Sequence, residues 1–418
     1  MRNIFLSTSI CFLLQQTVFS QIKILFDATK AETAANADWI IDADLHNMTW
    51  NPNGNTSSGN ESNAQRLPTP TQTAVTTSTP ETYWLGSLSH WAIDCVNKGY
   101  WVETLPYTGQ ITYGNTSNPQ DLSNYKIYIV DEPNILFTAA EKIALMNFVQ
   151  NGGGLFMISD HDVSDRNNDG HDSPNIWNDF LTNNGVSNNS FGFIFALENF
   201  SDASSNSNVS ILTTDSITKG AYGNVTQVKW SNGTCMTMNP SQNPYVKGHV
   251  WKNGKGQTDT AVCVVTTRYG CGKVTAMGDS SPMDDGTGDP NDASLYDGYI
   301  TDAAGNHQKL LMNMVIWLAH EDCNTAINET GIKSNITIYP NPAYNTATII
   351  CTNNSANKAT LTVFTIDGQQ VEVAQKHNKD GADEQFILNT SNLPAGVYYC
   401  KITVADKTST RKLMITKS

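Results

Sequence analysis

The sequence predicts an α/β domain organised on a parallel sheet, followed by a small antiparallel β-sandwich. Two observations carry the first half. From residue 22 to about 322, apolar runs of strand length alternate with helical stretches, and glycines and capping residues punctuate the helices. A third observation carries the second half. From Asn335 onward the chain turns to short runs of alternating polarity, broken by turn residues at regular spacing.

Ile22 to Phe26 reads as the first strand, and Leu85 to Asn97 as an amphipathic helix with Leu85, Leu88, Trp91 or Ala92, and Cys95 or Val96 at helical spacing. Tyr100 to Leu105 and Tyr125 to Val130 are further strands. Thr138 with Glu141 three residues on is a capping box, opening a helix through Gln150. Gly152-Gly153-Gly154 ends that helix, and Leu155 to Ile158 is a buried strand. Ile176 to Asn183 reads as a helix, Ala261 to Thr267 with Lys273 to Met277 as a hairpin, and His307 to Ala319 as a final helix. Strands alternating with helices imply a parallel sheet covered on both faces. The Asn/Ser-rich stretch of about 185–253 reads as an insertion or edge extension, and Asn47 to Pro80 as a long polar loop. Residues 323–334 form a polar linker; strands at Ala359 to Ile366, Gln369 to Ala374 and Val397 to Val404 belong to the sandwich.

The 418-residue chain carries 25 Lys and Arg against 39 Asp and Glu, a net charge of −14. That excludes the basic footprint of a nucleic-acid binder and of a polybasic membrane-surface protein. Residues 1–20 have the form of a signal peptide: Arg2, an apolar stretch from Ile4 to Leu14 too short to span a bilayer, and small residues at Val18 and Ser20. Later in the chain no apolar run is long enough for a transmembrane helix. The reading is a secreted or cell-surface protein, exported via the periplasm. Cys11 leaves with the signal, seven cysteines stay, and no C-x-x-C pair marks a structural zinc site. Cys351 and Cys400 sit in strand-like runs, either facing each other or serving as small buried hydrophobes.

Near the C-terminus Ile338-Tyr339-Pro340-Asn341-Pro342, Phe364-Thr365-Ile366-Asp367-Gly368-Gln369, Leu393-Pro394-Ala395-Gly396-Val397-Tyr398-Tyr399 and the basic Arg411-Lys412-Leu413 follow one another. In that order they resemble the C-terminal sorting domain of type IX secretion, a system of Bacteroidota. The resemblance covers residues 335–418 and implies handling by the type IX machinery with release or surface attachment. In the first domain (21–322), Phe137-Thr138-Ala139-Ala140-Glu141 through Gly152-Gly153-Gly154 and the order of elements around it resemble the flavodoxin-like, class I glutamine-amidotransferase-like fold. That family carries a nucleophilic Cys after such a strand; this chain has Ser159-Asp160-His161 there.

In an open parallel sheet ligands bind at the carboxyl ends of the strands. Those ends carry Asp27, then Asp131 and Glu132, then Ser159, Asp160 and His161, then Asp279, Ser280 and Ser281. Grouped carboxylates require a cation or shared protons. The expectation is a divalent cation held by Asp27, Asp160, His161 and Asp279, with His161 or Glu132 as general base and Ser159 as an alternative nucleophile. Asp165, Asn167, Asp169 and Asp172 follow a D-x-N-x-D-G-x-D pattern suited to calcium, although Ile176 stands where an EF-hand needs its bidentate Glu. Asp284 and Asp285 open a second acidic loop. Calcium is the first candidate; zinc, through His161 and His171 with Asp160 or Asp279, is the other. Asp215-Ser216-Ile217 and Asp259-Thr260-Ala261 resemble the short O-glycosylation sites of Bacteroidota. Two readings stay open: a metal-assisted hydrolase of an extracellular polysaccharide or ester, and a calcium-stabilised surface or carbohydrate-binding protein.

Overall fold

The computed structural model describes residues 21–34, 37–43, 64–287, 296–320, 336–352, 358–365, 369–371, 375–380, 383–404 and 407–417. The signal segment, residues 47–63 of the polar loop and the linker lie outside the described residues. The chain divides into two units, Met1–Cys323 and Asn324–Ser418.

The first unit is built on a nine-stranded sheet. Strands β1 (Lys23–Asp27), β2 (Trp101–Leu105), β3 (Ile127–Asp131) and β4 (Gly154–Ile158) come first in the chain. They are followed by β5 (Phe193–Phe195), β6 (Phe200–Asn206), β7 (Val228–Gly233), β8 (Met236–Met238), β9 (Lys247–Trp251), β10 (Val262–Tyr269) and β11 (Gly272–Met277). The sheet order is β2-β1-β3-β4-β11-β10-β8-β5, with β9 also paired to β10. The pairings from β2 across to β11 are parallel; β11 to β10 and everything beyond is antiparallel. The expected parallel sheet is therefore part of a mixed one. The reason is local: β10 and β11 are joined through Tyr269-Gly270-Cys271-Gly272, a tight hairpin that can only produce an antiparallel pair. The Asn/Ser-rich stretch supplies β5, β8 and β9 to this antiparallel flank, while β6 and β7 pair as a separate ribbon.

Helices cover both faces. α1 (Ser89–Asn97) and α4 (His307–Ala319) pack with Ile24, Phe26, Ile127, Ile129, Phe156, Ile158 and Met277 on one face. α2 (Ala139–Gln150) and α3 (Ser173–Thr182) pack with Leu25, Tyr128, Val130, Leu155 and Met157 on the other. Successive strand residues fall into opposite cores because strand side chains alternate. The capping box of α2 is present: the Thr138 hydroxyl accepts from the Glu141 amide, and Glu141 accepts from the Thr138 amide at 2.7 Å. α1 begins four residues later than its apolar spacing predicts. A Cβ on Gly86 would run into the Ile40 carbonyl, so the chain there is a turn held against that backbone. α3 begins three residues earlier than predicted, with a proline in its first turn, where the missing N–H costs nothing.

The second unit is a sandwich of two four-stranded antiparallel sheets. One orders β12 (Ile336–Tyr339), β13 (Thr346–Thr352), β17 (Asp383–Asn389) and β16 (Gln375–Asp380); the other orders β15 (Gln370–Val371), β14 (Ala359–Thr365), β18 (Gly396–Val404) and β19 (Lys407–Ile415). Alternate residues of both sheets meet in one core that includes Ile349, Cys351, Val363, Phe386, Cys400 and Ile402.

Candidate functional site

The parallel strands end together, and register decides which of their terminal carboxylates meet. Met277 of β11 pairs with Ile158 of β4, which pairs with Asp131 of β3. Asp160 and Asp279 each lie two residues beyond one of these partners. Alternation therefore carries Asp131, Asp160 and Asp279 onto the face that holds Ile129, Ile158 and Met277. Asp27 continues the Leu25 side of β1, so it lies on the opposite face. There its carboxylate accepts from the Thr29 amide and hydroxyl and bears on Glu32 and Tyr128. The expected four-residue set thus divides: Asp27 stands apart from Asp160, His161 and Asp279, because strand side chains repeat every two residues and Asp27 falls on the wrong parity.

Glu132 follows β3 in a left-handed backbone conformation, φ 44°. This is costly for a non-glycine residue and marks a side chain re-aimed by its surroundings. It is fully buried. Its Oε1 accepts from Arg166 Nε at 3.0 Å; its Oε2 accepts from Trp39 Nε1 at 3.0 Å and from the Ser280 hydroxyl at 2.7 Å. Arg166 also donates Nη2 to Asp160 Oδ2 at 3.0 Å. His161 Nε2 lies 3.5 Å from that oxygen, and His161 Nδ1 is 2.6 Å from the Asp162 carbonyl. Asp279 accepts from the Ser231 and Ser281 amides at 2.6 and 2.8 Å. Ser159 is buried, and its hydroxyl donates to the Asp160 carbonyl at 3.1 Å.

Burial sets the electrostatics. It pushes Asp160 well above the usual carboxylate range, with Glu132 and Asp279 adding to the shift and Arg166 opposing it. It raises Asp279 to about 7 against the pull of its two amide donors. It also raises Asp131, with Glu132, Asp279 and Asp284 contributing. Neither carboxylate oxygen of Asp131 has a hydrogen-bond partner among the described residues. The Arg166 guanidinium is the cation that the described residues supply to the cluster, and Glu132 in turn raises the Arg166 pKa. Among the described residues no group of three or more His, Cys, Asp or Glu side chains is arranged to hold a metal ion.

The two acidic loops are largely engaged with themselves. Asp165 accepts from the Asp169 and Gly170 amides, each at 3.0 Å; Asn167 accepts from the Asp169 amide; Asp169 accepts from the His171 amide. Asp172 stands before α3 and takes the Val163 amide and the Asn175 side chain, both at 2.6 Å. Asp284 accepts from the Gly286 and Tyr296 amides. Asp285 accepts from the His90 and Thr287 amides and is pushed up by burial all the same. The remainder of the second loop, 288–295, lies outside the described residues.

Arg166 and Trp39 are the partners that sequence reading missed. Arg166 sits in the acidic D-R-N run, where its charge was visible. Its distance of 34 residues from Glu132 hid the pairing, and Trp39 is farther still, in a segment without periodicity.

No helix among the described residues is long and apolar enough to cross a membrane. The chain is similar in structure to the mmIFT52 N-terminal domain at 12% identity and a TM-score of 0.41, covering 72% of this chain and 98% of that one. It is also similar to the Lin-41 filamin domain, at 16% identity and a TM-score of 0.16, over 20% of this chain and 91% of that one. A titin M10–obscurin-like 1 Ig complex matches at 21% identity and a TM-score of 0.15, over 20% and 95%. No curated protein sequence matches the chain. Residues 337–416 match the secretion system C-terminal sorting domain, so the sandwich unit carries a type IX sorting tail, and the chain is a secreted or cell-surface protein exported by that system.

Proposed function

We propose that the exported chain binds an extracellular glycan through the carboxyl-end edge of its parallel strands. The observation that carries this reading is the arrangement of Arg166 and His161. They are the partly exposed members of the cluster, beside the buried and already hydrogen-bonded carboxylates of Glu132 and Asp160. A guanidinium has five N–H donors in a fixed fork. Among the described residues Glu132 and Asp160 take one from Nε and one from Nη2, which leaves three toward a ligand. Side chains fixed before binding lose little entropy on contact, which favours recognition of polyhydroxylated surfaces by a few polar groups. The strand order β2-β1-β3-β4 supports an amidotransferase-like fold for this unit, and the sorting tail supports export through the periplasm of a Bacteroidota cell. The test is retention of the mature chain on immobilised polysaccharides, neutral and acidic. His161→Ala should weaken retention about tenfold, the scale of one hydrogen bond to a charged or polar group. Failure of every polysaccharide to retain the wild type, or unchanged retention of the variant, would sink the reading.

One observation favours a second reading, a metal-assisted hydrolase. Asp131 is buried with both oxygens unpartnered, beside Asp279 and Asp284. A divalent cation there would relieve the cost of those buried acids and would polarise a substrate oxygen. Titration with calcium and with zinc, read by tryptophan fluorescence, tests it: a saturable change lost in Asp131→Asn supports a cation site, and no change with either ion excludes one.

A further inference from the structure

Away from the acidic edge, three residues distant in sequence meet in a small cavity. His249 lies on β9, where the pairing with β10 shifts register between Gly248 and Val250. Such bulges re-aim a side chain. His249 Nδ1 is 2.9 and 3.0 Å from the two carboxylate oxygens of Asp215, and His249 Nε2 is 2.7 Å from Thr266 Oγ1 on β10. All three side chains are at most 8% exposed. Asp215 is fixed from behind: its Oδ1 accepts the Ile217 and Thr218 amides, each at 2.9 Å. The His249 carbonyl accepts from the Ser210 amide at 2.8 Å. These bonds hold the carboxylate ionised. Burial raises the Asp215 pKa, but the hydrogen bond from His249 Nδ1 and the amide donors outweigh it.

The proton assignments follow from chemistry. An ionised carboxylate only accepts, so Nδ1 carries the hydrogen; in the neutral imidazole Nε2 is then the acceptor, and the Thr266 hydroxyl donates to it. Hydroxyl to imidazole to oriented carboxylate is the order of a nucleophile, its general base and the group that fixes the base's tautomer. The three also line a cavity of about 160 Å³, whose wall includes Lys247, Arg268 and Tyr245. That is about five water volumes, room for a short acyl group. Thr266 pairs with Thr275 in the middle of β11, and Arg268 pairs with Lys273 near its start. The cavity therefore lies toward the opposite end of β11 from Asp279.

We propose that Asp215, His249 and Thr266 form a second site, one that hydrolyses short-chain acyl esters. Thr266 Oγ1 attacks the ester carbonyl carbon while its proton passes to His249 Nε2. The bond from carbonyl carbon to alkoxy oxygen breaks, and the alcohol leaves with that proton. Water then attacks the acyl-threonine, giving a proton to Nε2; the carboxylic acid departs, and Thr266 Oγ1 recovers its hydrogen. Lys247 or Arg268 supplies the positive charge for the oxyanion. Asp215 acts through His249 and is a positioning residue.

The experiment uses the mature chain with 4-nitrophenyl acetate and butyrate, together with a fluorophosphonate probe located by peptide mass spectrometry. Thr266→Val removes the hydroxyl, keeps the shape and suits a strand, so it preserves the fold, which circular dichroism verifies. The expected result is saturable turnover and labelling of the Thr266 peptide by the wild type. Turnover should fall at least about 100-fold in Thr266→Val, the size of a general-base contribution, and survive in Thr266→Ser. Asp215→Asn should lower turnover and alter its pH profile, because the imidazole loses its fixed tautomer, an effect that a purely structural carboxylate would not produce. Turnover unchanged in folded Thr266→Val, or a wild type that neither cleaves these esters nor takes the label, would overturn the proposal.

Discussion

Replacing Arg166 tests how the acidic edge is held. Its guanidinium joins Glu132 and Asp160 at 3.0 Å each, and the two carboxylate side chains are 0% and 4% exposed. Removing one partner of a buried ion pair costs about 3–5 kcal/mol, because the other charge is left uncompensated. Two features lower the figure here. Arg166 itself is 24% exposed, and Glu132 keeps the Trp39 and Ser280 donors. Asp160, already pushed toward its neutral form, loses less. Arg166→Met should therefore destabilise the first unit by about 2–3 kcal/mol at neutral pH. The loss should shrink as pH falls and Asp160, held well above the usual carboxylate range, takes up its proton. Arg166→Met with Glu132→Gln should recover part of the loss, since the second change removes the orphaned charge. Urea unfolding followed by tryptophan fluorescence is a clean readout: all nine tryptophans lie between Trp39 and Trp317, so the signal reports the first unit alone. A loss within about 0.5 kcal/mol, the range of ordinary surface substitutions, and independent of pH, would refute the claim that Arg166 neutralises the cluster.

Three further outcomes follow from the same structure. Burial raises Asp279 to about 7 from an ordinary 3.8, so the folded state holds a proton that the unfolded chain releases near pH 4. Stability from this group is fully present below about pH 4 and is lost as pH rises through 7, by about 4 kcal/mol at ~1.4 kcal/mol per pKa unit; Asp279→Asn should flatten the profile of urea midpoints over that window. Thr138→Ala removes the side-chain half of the α2 capping box and should cost about 1 kcal/mol by the same assay. Deleting residues 324–418 removes the sorting tail, and fractionation of the producing cells should then find the protein retained instead of exported.

The elements that the sequence determines are those whose signals are local. The capping box at Thr138 and Glu141, the glycine run after α2, the hairpin at 269–272 and the final helix at His307–Ala319 rest on spacings of a few residues, and each appears where those spacings place it. The sorting tail was legible for the same reason, since its motifs are short and ordered along the chain. That carboxylates close the parallel strands was equally plain. Which of them share a space was not, because a strand's parity relative to its neighbours depends on register. Asp27 and Asp160 both end strands, yet they belong to opposite faces. Long-range partners were hidden as well. Arg166 reaches Glu132, Trp39 reaches Glu132, and His249 joins Asp215 to Thr266, through contacts that no spacing announces. A buried charge must find its counter-charge or donor somewhere in the fold, and only the packed tertiary structure decides which residue that is.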